Sequence, residues 1–224
     1  MMVLRPNLPV PTGAQAGTGA RDHVFVVDAS FGTAQGDLAA QIAATVAWLS
    51  TLGPDDRFTV ILGGQTQRVW RQEFQAVTHD NVLLSTAFLE EAVPSGASDL
   101  EGMFMEAAKL ASRSRGAAPA VIYLGDGQAT LGEIDHDALL DRVDRQLHDV
   151  HGSVHAVGVG NNVNMALLGQ LTRRFGGSVT VLNRGEDVPA RVAQTALDAR
   201  RPALRQGTLA FSSDQVDLVY PTHV

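Results

Sequence analysis

The stretch His23-Val24-Phe25-Val26-Val27-Asp28-Ala29-Ser30-Phe31-Gly32 passes from an apolar run into small and polar residues within one position. A short run without polar alternation reads as a strand buried on both faces, as in a parallel sheet. Val121-Ile122-Tyr123-Leu124 repeats the pattern and delivers Gly125-Asp126-Gly127. Ser98-Asp99 flanks a further apolar stretch between them. In an open parallel sheet the residues just past the carboxyl ends of the strands line the ligand crevice. Asp28, Ser30, Ser98 and Asp126 are therefore expected at one rim.

Outward from these anchors, strands are predicted over 23–27, 57–62, 67–71, 120–124, 153–158 and 178–182. Helices are predicted over 35–51, 80–91, 99–114, 134–150, 163–174 and 186–200. Strand–helix alternation at this spacing implies a mostly parallel sheet covered on both faces. The 67–71 segment follows Gly63-Gly64-Gln65 too closely for a crossover, so it is expected as an antiparallel edge strand. The predicted fold is α/β: a doubly wound, mostly parallel six-stranded sheet with one antiparallel edge strand and helices on both faces. Helix starts are signalled by Asp80 or Asn81, by Asp99, and by Asp135 with Asp137. Leu139, Leu140, Val143 and Leu147 form the apolar stripe of the fourth helix, which Gly152 ends. Residues 7–22, rich in Pro, Gly, Ala and Thr, read as a linker.

Composition bounds the function. A chain of 224 residues is enough for one large domain with a full core. With 45% apolar and 18% charged residues it is an ordinary globular sequence. A net charge of −7 argues against nucleic acid or anionic membranes as partners. No apolar run approaches the ~18 residues of a membrane helix. The absence of cysteine excludes disulfides and thiol chemistry without fixing the compartment. Of the 17 basic side chains only Lys109 is a lysine.

Two carboxylates and two hydroxyls at one rim form a hard, oxygen-only donor set, suited to Mg²⁺ or Mn²⁺. The alternative is a satisfied polar cluster without metal, since carboxylates at strand ends also cap helix amides. For Asp99 the helix cap is favoured over a role in orienting the site. His148, His151 and His155 do not suit a metal: Gly152 breaks the helix between them and His155 lies on a strand. Gly158-x-Gly160 resembles the opening of a dinucleotide fingerprint, but lacks its third glycine and comes late in the sheet.

Asp28-x-Ser30-x-Gly32, a later Ser98 and a later Asp126 resemble the metal-ion-dependent adhesion site of von Willebrand factor type A domains, whose pattern is Asp-x-Ser-x-Ser, then Thr, then Asp. The resemblance points in particular to inter-alpha-trypsin inhibitor heavy chains and their bacterial relatives. Pro54-Asp55-Asp56-Arg57-Phe58 looks like their second-strand start, and Gly125-Asp126-Gly127 with Ala129-Thr130-Leu131-Gly132-Glu133 like their Thr-Asp-Gly…Pro-Thr-x-Gly-Glu. Gly158-Val159-Gly160-Asn161-Asn162-Val163-Asn164, Leu167-Leu168 and Gly176-Gly177 follow in the same order. Several matches in order are far more specific than any one. There are departures. Gly32 stands where the family has its second serine, Ser98 replaces threonine, and Gly125 replaces the threonine before the last aspartate.

The resemblance implies a protein-binding module in which a metal, held by Asp28, Ser30, Ser98 and Asp126, keeps a position open for an acidic side chain of another protein. Phe31, Gly32, Asp99 and Gly127 are the expected partner-facing residues of that rim. The missing hydroxyl at Gly32 leaves two readings open: weak Mg²⁺ or Mn²⁺ binding, or a metal-free scaffold domain. A faint likeness of Asp28-Ala29-Ser30-Phe31-Gly32-Thr33 to the Asp-x-Asp-x-Thr loop of haloacid-dehalogenase-type phosphatases fails at Ser30, where the acid/base aspartate belongs. Lys109 is mid-helix and supplies no active-site lysine, so no enzymatic activity is expected. The resemblance assigns residues 23–200 to the type A domain. Residues 1–22 become a flanking strand and linker, and 201–224 a flanking β segment with strand-like 208–220. The chain then reads as a piece of a longer protein, expected outside the cytoplasm or in a cell envelope.

Overall fold

Strand β1 (Arg21–Asp28) occupies the middle of the sheet and is buried along nearly its whole length, as its apolar run requires. The computed structural model describes residues 20–200 other than 34, 116, 151, 184 and 185. The chain continues through α1 (Gln35–Leu49), β2 (Arg57–Gly63), β3 (Arg68–Val69), β4 (Gln75–Ala76), α2 (His79–Glu90) and α3 (Leu100–Ala111). It then forms β5 (Ala117–Gly125), α4 (His136–Leu147), β6 (Ser153–Val159), α5 (Met165–Arg174), β7 (Val179–Leu182) and α6 (Val188–Ala199). The strand order is β3-β2-β1-β5-β6-β7, with β4 also paired to β2. β1 pairs in parallel with β2 on one side and with β5 on the other.

The sheet has seven strands, where six were predicted. The additional strand continues the antiparallel edge. β3 pairs with Ile61 and Leu62 at the upper half of β2, and β4 with Arg57 and Phe58 at its lower half. Between them the chain leaves the ladder, while the Trp70 N–H donates to the Val60 carbonyl at 2.9 Å and the Thr59 hydroxyl donates to the Arg71 carbonyl at 2.6 Å. A two-residue polar strand has no apolar period to read. Helix α2 starts from Thr78, whose side chain accepts from the Asn81 N–H, and not from Asp80 or Asn81. The expected caps Asp99 and Asp135 accept from Gly102 N–H and Ala138 N–H. The flanking strands expected over 1–5 and 208–220 lie outside the described residues, as does His151.

Side chains alternate across the pleat. His23, Phe25 and Val27 face one layer with Phe58, Ile122, Leu124 and Val157, which α1, α2 and α6 cover. Val24, Val26, Tyr123, Val154 and Ala156 face the opposite layer, which α3, α4 and α5 cover. Full burial of one large apolar side chain is worth about 1.5–3 kcal/mol, and Trp48, Phe25, Phe58 and Phe104 are all 2% exposed or less. Because successive connections run outward in opposite directions from β1 and β5, a crevice opens between the carboxyl ends of those two strands.

Candidate functional site

That crevice holds the predicted residues. Asp28 is the last residue of β1 and is fully buried. Its Oδ1 accepts from the Ser30 N–H at 2.9 Å, the short Asx-type turn that a carboxylate two residues back favours. Its Oδ2 accepts from the Ser98 hydroxyl at 2.9 Å and from the Tyr123 hydroxyl at 3.1 Å. Ser30 is 4% exposed and Ser98 2%. Asp126 follows β5, is half-buried, and its Oδ1 accepts from the Gln128 N–H at 2.9 Å. A β-carbon on Gly32 would stand 3.7 Å from Asp126 Oδ2, which places the β1 loop directly against this carboxylate.

Hydrogen bonds tie the loops of this rim together. Phe31 N–H donates to the Gly96 carbonyl at 2.9 Å and Ser95 N–H to the Ala29 carbonyl at 3.0 Å. Thr130 accepts from the Ser98 N–H at 2.8 Å, and Asn164 N–H donates to the Asp126 carbonyl at 2.7 Å. Phe31 stands out from this frame at 80% exposure, with Val93 beside the same loops at 79%. A cleft of about 300 Å³ beside Val93 is lined by Ala29, Gly63, Gly64, Gln65, Val93 and Gly96. Gly32 is exposed as well. Asp99 and Gly127 face inward in different ways. Asp99 turns its carboxylate to the start of α3, accepting from Gly102 N–H at 2.9 Å. Gly127 has φ +70° and donates its N–H to the Tyr123 hydroxyl at 3.1 Å.

Tyr123 is the site residue that sequence reading missed. It sits mid-strand in an apolar run, where position and neighbours mark a core residue, and its ring packs on Phe104 at 5.8 Å between centroids. Only its hydroxyl reaches the rim. Burial, and then the Asp28 and Asp126 carboxylates, hold this phenol well above its ordinary range, so it stays a donor. Asp126 is also pushed up, by burial first and by the charges of Asp28 and Asp37, against the pull of the Gln128 N–H.

The electrostatics separate this rim from the rest of the molecule. Among the described residues no arginine, lysine or histidine forms an ion pair with Asp28 or Asp126, whereas Asp22 and Asp56 each have an arginine at 2.8 Å. No group of three or more His, Cys, Asp or Glu side chains suited to a metal occurs among the described residues. A cation here would therefore be held by two carboxylates together with hydroxyls. Uncompensated carboxylate and hydroxyl oxygens fit a hard divalent ion in kind. Gly32 leaves the donor set one hydroxyl short of the family pattern. His155, by contrast, is engaged by Ser153 and Ser178 hydroxyls at 3.0 and 3.1 Å.

Comparison with known proteins agrees on one fold. A family model described as von Willebrand factor type A domain matches residues 22–181. Inter-alpha-trypsin inhibitor heavy chain H2 is 22% identical over 192 residues in Mus musculus and 24% identical over 192 residues in Homo sapiens. Each of these alignments covers 83% of this chain and 20% of the relative, so the chain spans about one-fifth of their length. Among solved structures, a von Willebrand factor type A protein from Catenulispora acidiphila superposes with a TM-score of 0.67 at 17% identity, covering 81% of this chain and 42% of that one. BatB from Bacteroides thetaiotaomicron gives 0.62 at 11%, covering 80% and 98%. The manganese-loaded Plasmodium vivax TRAP protein gives 0.58 at 15%, covering 75% and 70%.

Proposed function

This chain belongs to the von Willebrand factor type A domain family, and from that membership we propose that it is a protein-interaction module that engages its partner through the carboxyl-end rim of the sheet. Domains of this family generally mediate protein interactions and are generally not enzymes. Within that role the rim acts as a degenerate metal-ion-dependent adhesion site. Asp28, Ser30, Ser98 and Asp126 hold Mg²⁺ or Mn²⁺ weakly, with water in place of the hydroxyl that Gly32 lacks. When bound, the cation supplies an open coordination position for an acidic side chain of the partner. The chain's own contribution is shape and charge. Phe31 and Gly32 present the exposed edge, and Asp99 and Gly127 fix the loops behind it.

The observation that carries this reading is the pair of carboxylates at the crevice, without a cationic partner among the described residues. A buried or half-buried carboxylate is costly unless its charge is answered. The Plasmodium vivax TRAP protein, which shares this fold, is manganese-loaded in its own structure. The second reading, a metal-free scaffold, is favoured by Asp28 itself, whose oxygens already accept three donors.

Titration calorimetry with Mn²⁺ and Mg²⁺ decides between the two readings. Binding in the millimolar range or tighter is expected in the parent, and its loss in Asp126→Ala. No heat at millimolar metal sinks the cation and leaves the scaffold. Hydrolysis of a generic phosphomonoester by the parent, lost in Asp28→Asn, would instead revive the enzyme reading.

A further inference from the structure

We propose that Tyr123 is the positioning residue for Asp28: its hydroxyl, delivered from the core, occupies the place that a side chain at position 125 would need and sets the orientation in which the carboxylate faces the crevice. This rests on the cation reading above. Three observations support it.

The first is connectivity. Tyr123 Oη donates to Asp28 Oδ2 at 3.1 Å and accepts from the Gly127 N–H at 3.1 Å. One atom thus joins the end of β1 to the turn that follows Asp126. The second is exclusion. A β-carbon on Gly125 would run into Tyr123 Oη, and would stand 2.7 Å from Asp28 Cβ and 2.8 Å from Tyr123 Cζ. Tyrosine at 123 and any side chain at 125 are therefore incompatible in this geometry. The glycine is what lets the hydroxyl approach the carboxylate from below. The third is rigidity. Tyr123 is fully buried and its ring rests on Phe104, so the hydroxyl has little freedom. Gly127 holds φ +70° with Leu168 against the place of its missing β-carbon, which fixes the N–H that Tyr123 accepts.

Together these hold Asp28 from below. Ser98, from the loop before α3, and Ser30, from the β1 loop, hold it from the sides. The carboxylate cannot rotate without breaking a bond to one of three separate segments. Preorganisation of this kind lets a shallow donor set bind without first ordering its ligands.

The test removes one oxygen. Tyr123→Phe keeps the ring on Phe104 and deletes only the hydroxyl. Mn²⁺ affinity, read from the free-ion electron paramagnetic resonance signal, should fall roughly tenfold, the scale of a hydrogen bond to a charged group. The Asp28 carboxyl carbon resonance should move in the metal-free protein, a signature that a purely packing role would leave in place. Gly125→Ala, which leaves both partners present and drives them apart, should give the same two changes. Equal Mn²⁺ affinity in the parent and both folded variants overturns the proposal. A parent that takes up no Mn²⁺ overturns the cation reading and with it the purpose assigned to Tyr123. An unmoved Asp28 resonance in Tyr123→Phe overturns the link itself, so the two failures are read separately.

Discussion

The two ends of the sheet handle buried carboxylates in opposite ways. At the amino end, Asp22 accepts both arms of the Arg57 guanidinium at 2.8 Å and the Ser114 hydroxyl at 2.8 Å. Asp56 accepts from Arg200 and from the Gly53 N–H at 2.8 Å, and from the Arg21 N–H at 2.9 Å. At the carboxyl end, among the described residues, Asp28 accepts only neutral donors and Asp126 only N–H groups, and no arginine closes either. A carboxylate matched by a guanidinium and saturated by N–H donors is finished architecture. One left with its charge unanswered, in the crevice between diverging connections, is poised for something from outside. The difference lies in the partners and not in depth, since Asp22, Asp28 and Asp56 are all 3% exposed or less.

The largest expected effect tests the finished end. Asp56→Ala leaves the Arg200 guanidinium and two backbone N–H groups without their acceptor. It should cost about 3 kcal/mol, the lower end of what breaking a buried pair costs, because Arg200 is partly exposed. Urea denaturation reads this directly. A cost below about 1 kcal/mol would show that the arginine end is ordinary surface pairing and would dissolve the contrast.

The same end sets the acid response. His23 lies on β1 with neither ring nitrogen hydrogen-bonded among the described residues. Burial first, then the nearby Arg21 and Arg200 charges and His155, lower its pKa from 6.5 to about 3, with Asp56 opposing them. The unfolded chain therefore takes up this proton well before the folded one does. The stability is present in full above pH 6.5 and is lost progressively as pH falls toward about 3. At pH 5 the loss from this one group should be about 2 kcal/mol. His23→Phe, which fits the same stacked position beside Phe25, should shrink the stability difference between pH 7 and pH 5 by that amount. An unchanged difference would place the acid sensitivity elsewhere.

These two ends were unequally legible. Asp28, Ser30 and Asp126 could be placed from sequence because each follows an apolar run whose direction is fixed by the parallel sheet. Phe31 could be placed at the rim for the same reason. The Asp–Arg pairs could not, because Asp22 meets Arg57 and Asp56 meets Arg200 across 35 and 144 positions of chain. Tyr123 was hidden by its own ring: an aromatic mid-strand reads as core, and the polar atom acts two residues further along the strand. Thr78 lost to Asp80 and Asn81 because all three are good caps, and only the backbone turn selects among them. The edge of the sheet shows the limit of periodicity. Its upper part follows from the short Gly63-Gly64-Gln65 connection, while Gln75–Ala76 pairs through backbone alone.

A smaller effect of opposite sign is expected at the open end. Asp126 is pushed up by burial and by its neighbours' charges, so its ionised form weakens the metal-free fold at neutral pH, and acidification relieves this. Asp126→Asn removes the charge and keeps an acceptor for the Gln128 N–H. Without metal it should stabilise by about 0.5 kcal/mol or less, the range of changes at partly exposed sites, while abolishing the Mn²⁺ heat. A clear loss of stability instead would mean that the carboxylate is as built-in as Asp56, and the two ends would no longer differ in kind.

Gly32→Ser is the finest probe of the open end. Gly32 is not among the glycines with positive φ, so serine meets no backbone strain there. Among the described residues other than its chain neighbours, the one heavy atom within 4 Å of its β-carbon would be Asp126 Oδ2, at the ordinary contact distance of 3.7 Å. The new hydroxyl thus arrives beside the carboxylate whose charge is unanswered. If it joins the donor set, Mn²⁺ affinity should rise a few-fold, which is what a contribution of ~1 kcal/mol amounts to. The metal-free melting temperature should barely move, because the residue is exposed. The informative failure is a raised melting temperature with no gain in affinity. The serine would then be donating to Asp126 itself, as Ser98 donates to Asp28, and a neutral donor of that kind would hold the carboxylate in place without answering its charge as the arginines do at Asp22 and Asp56.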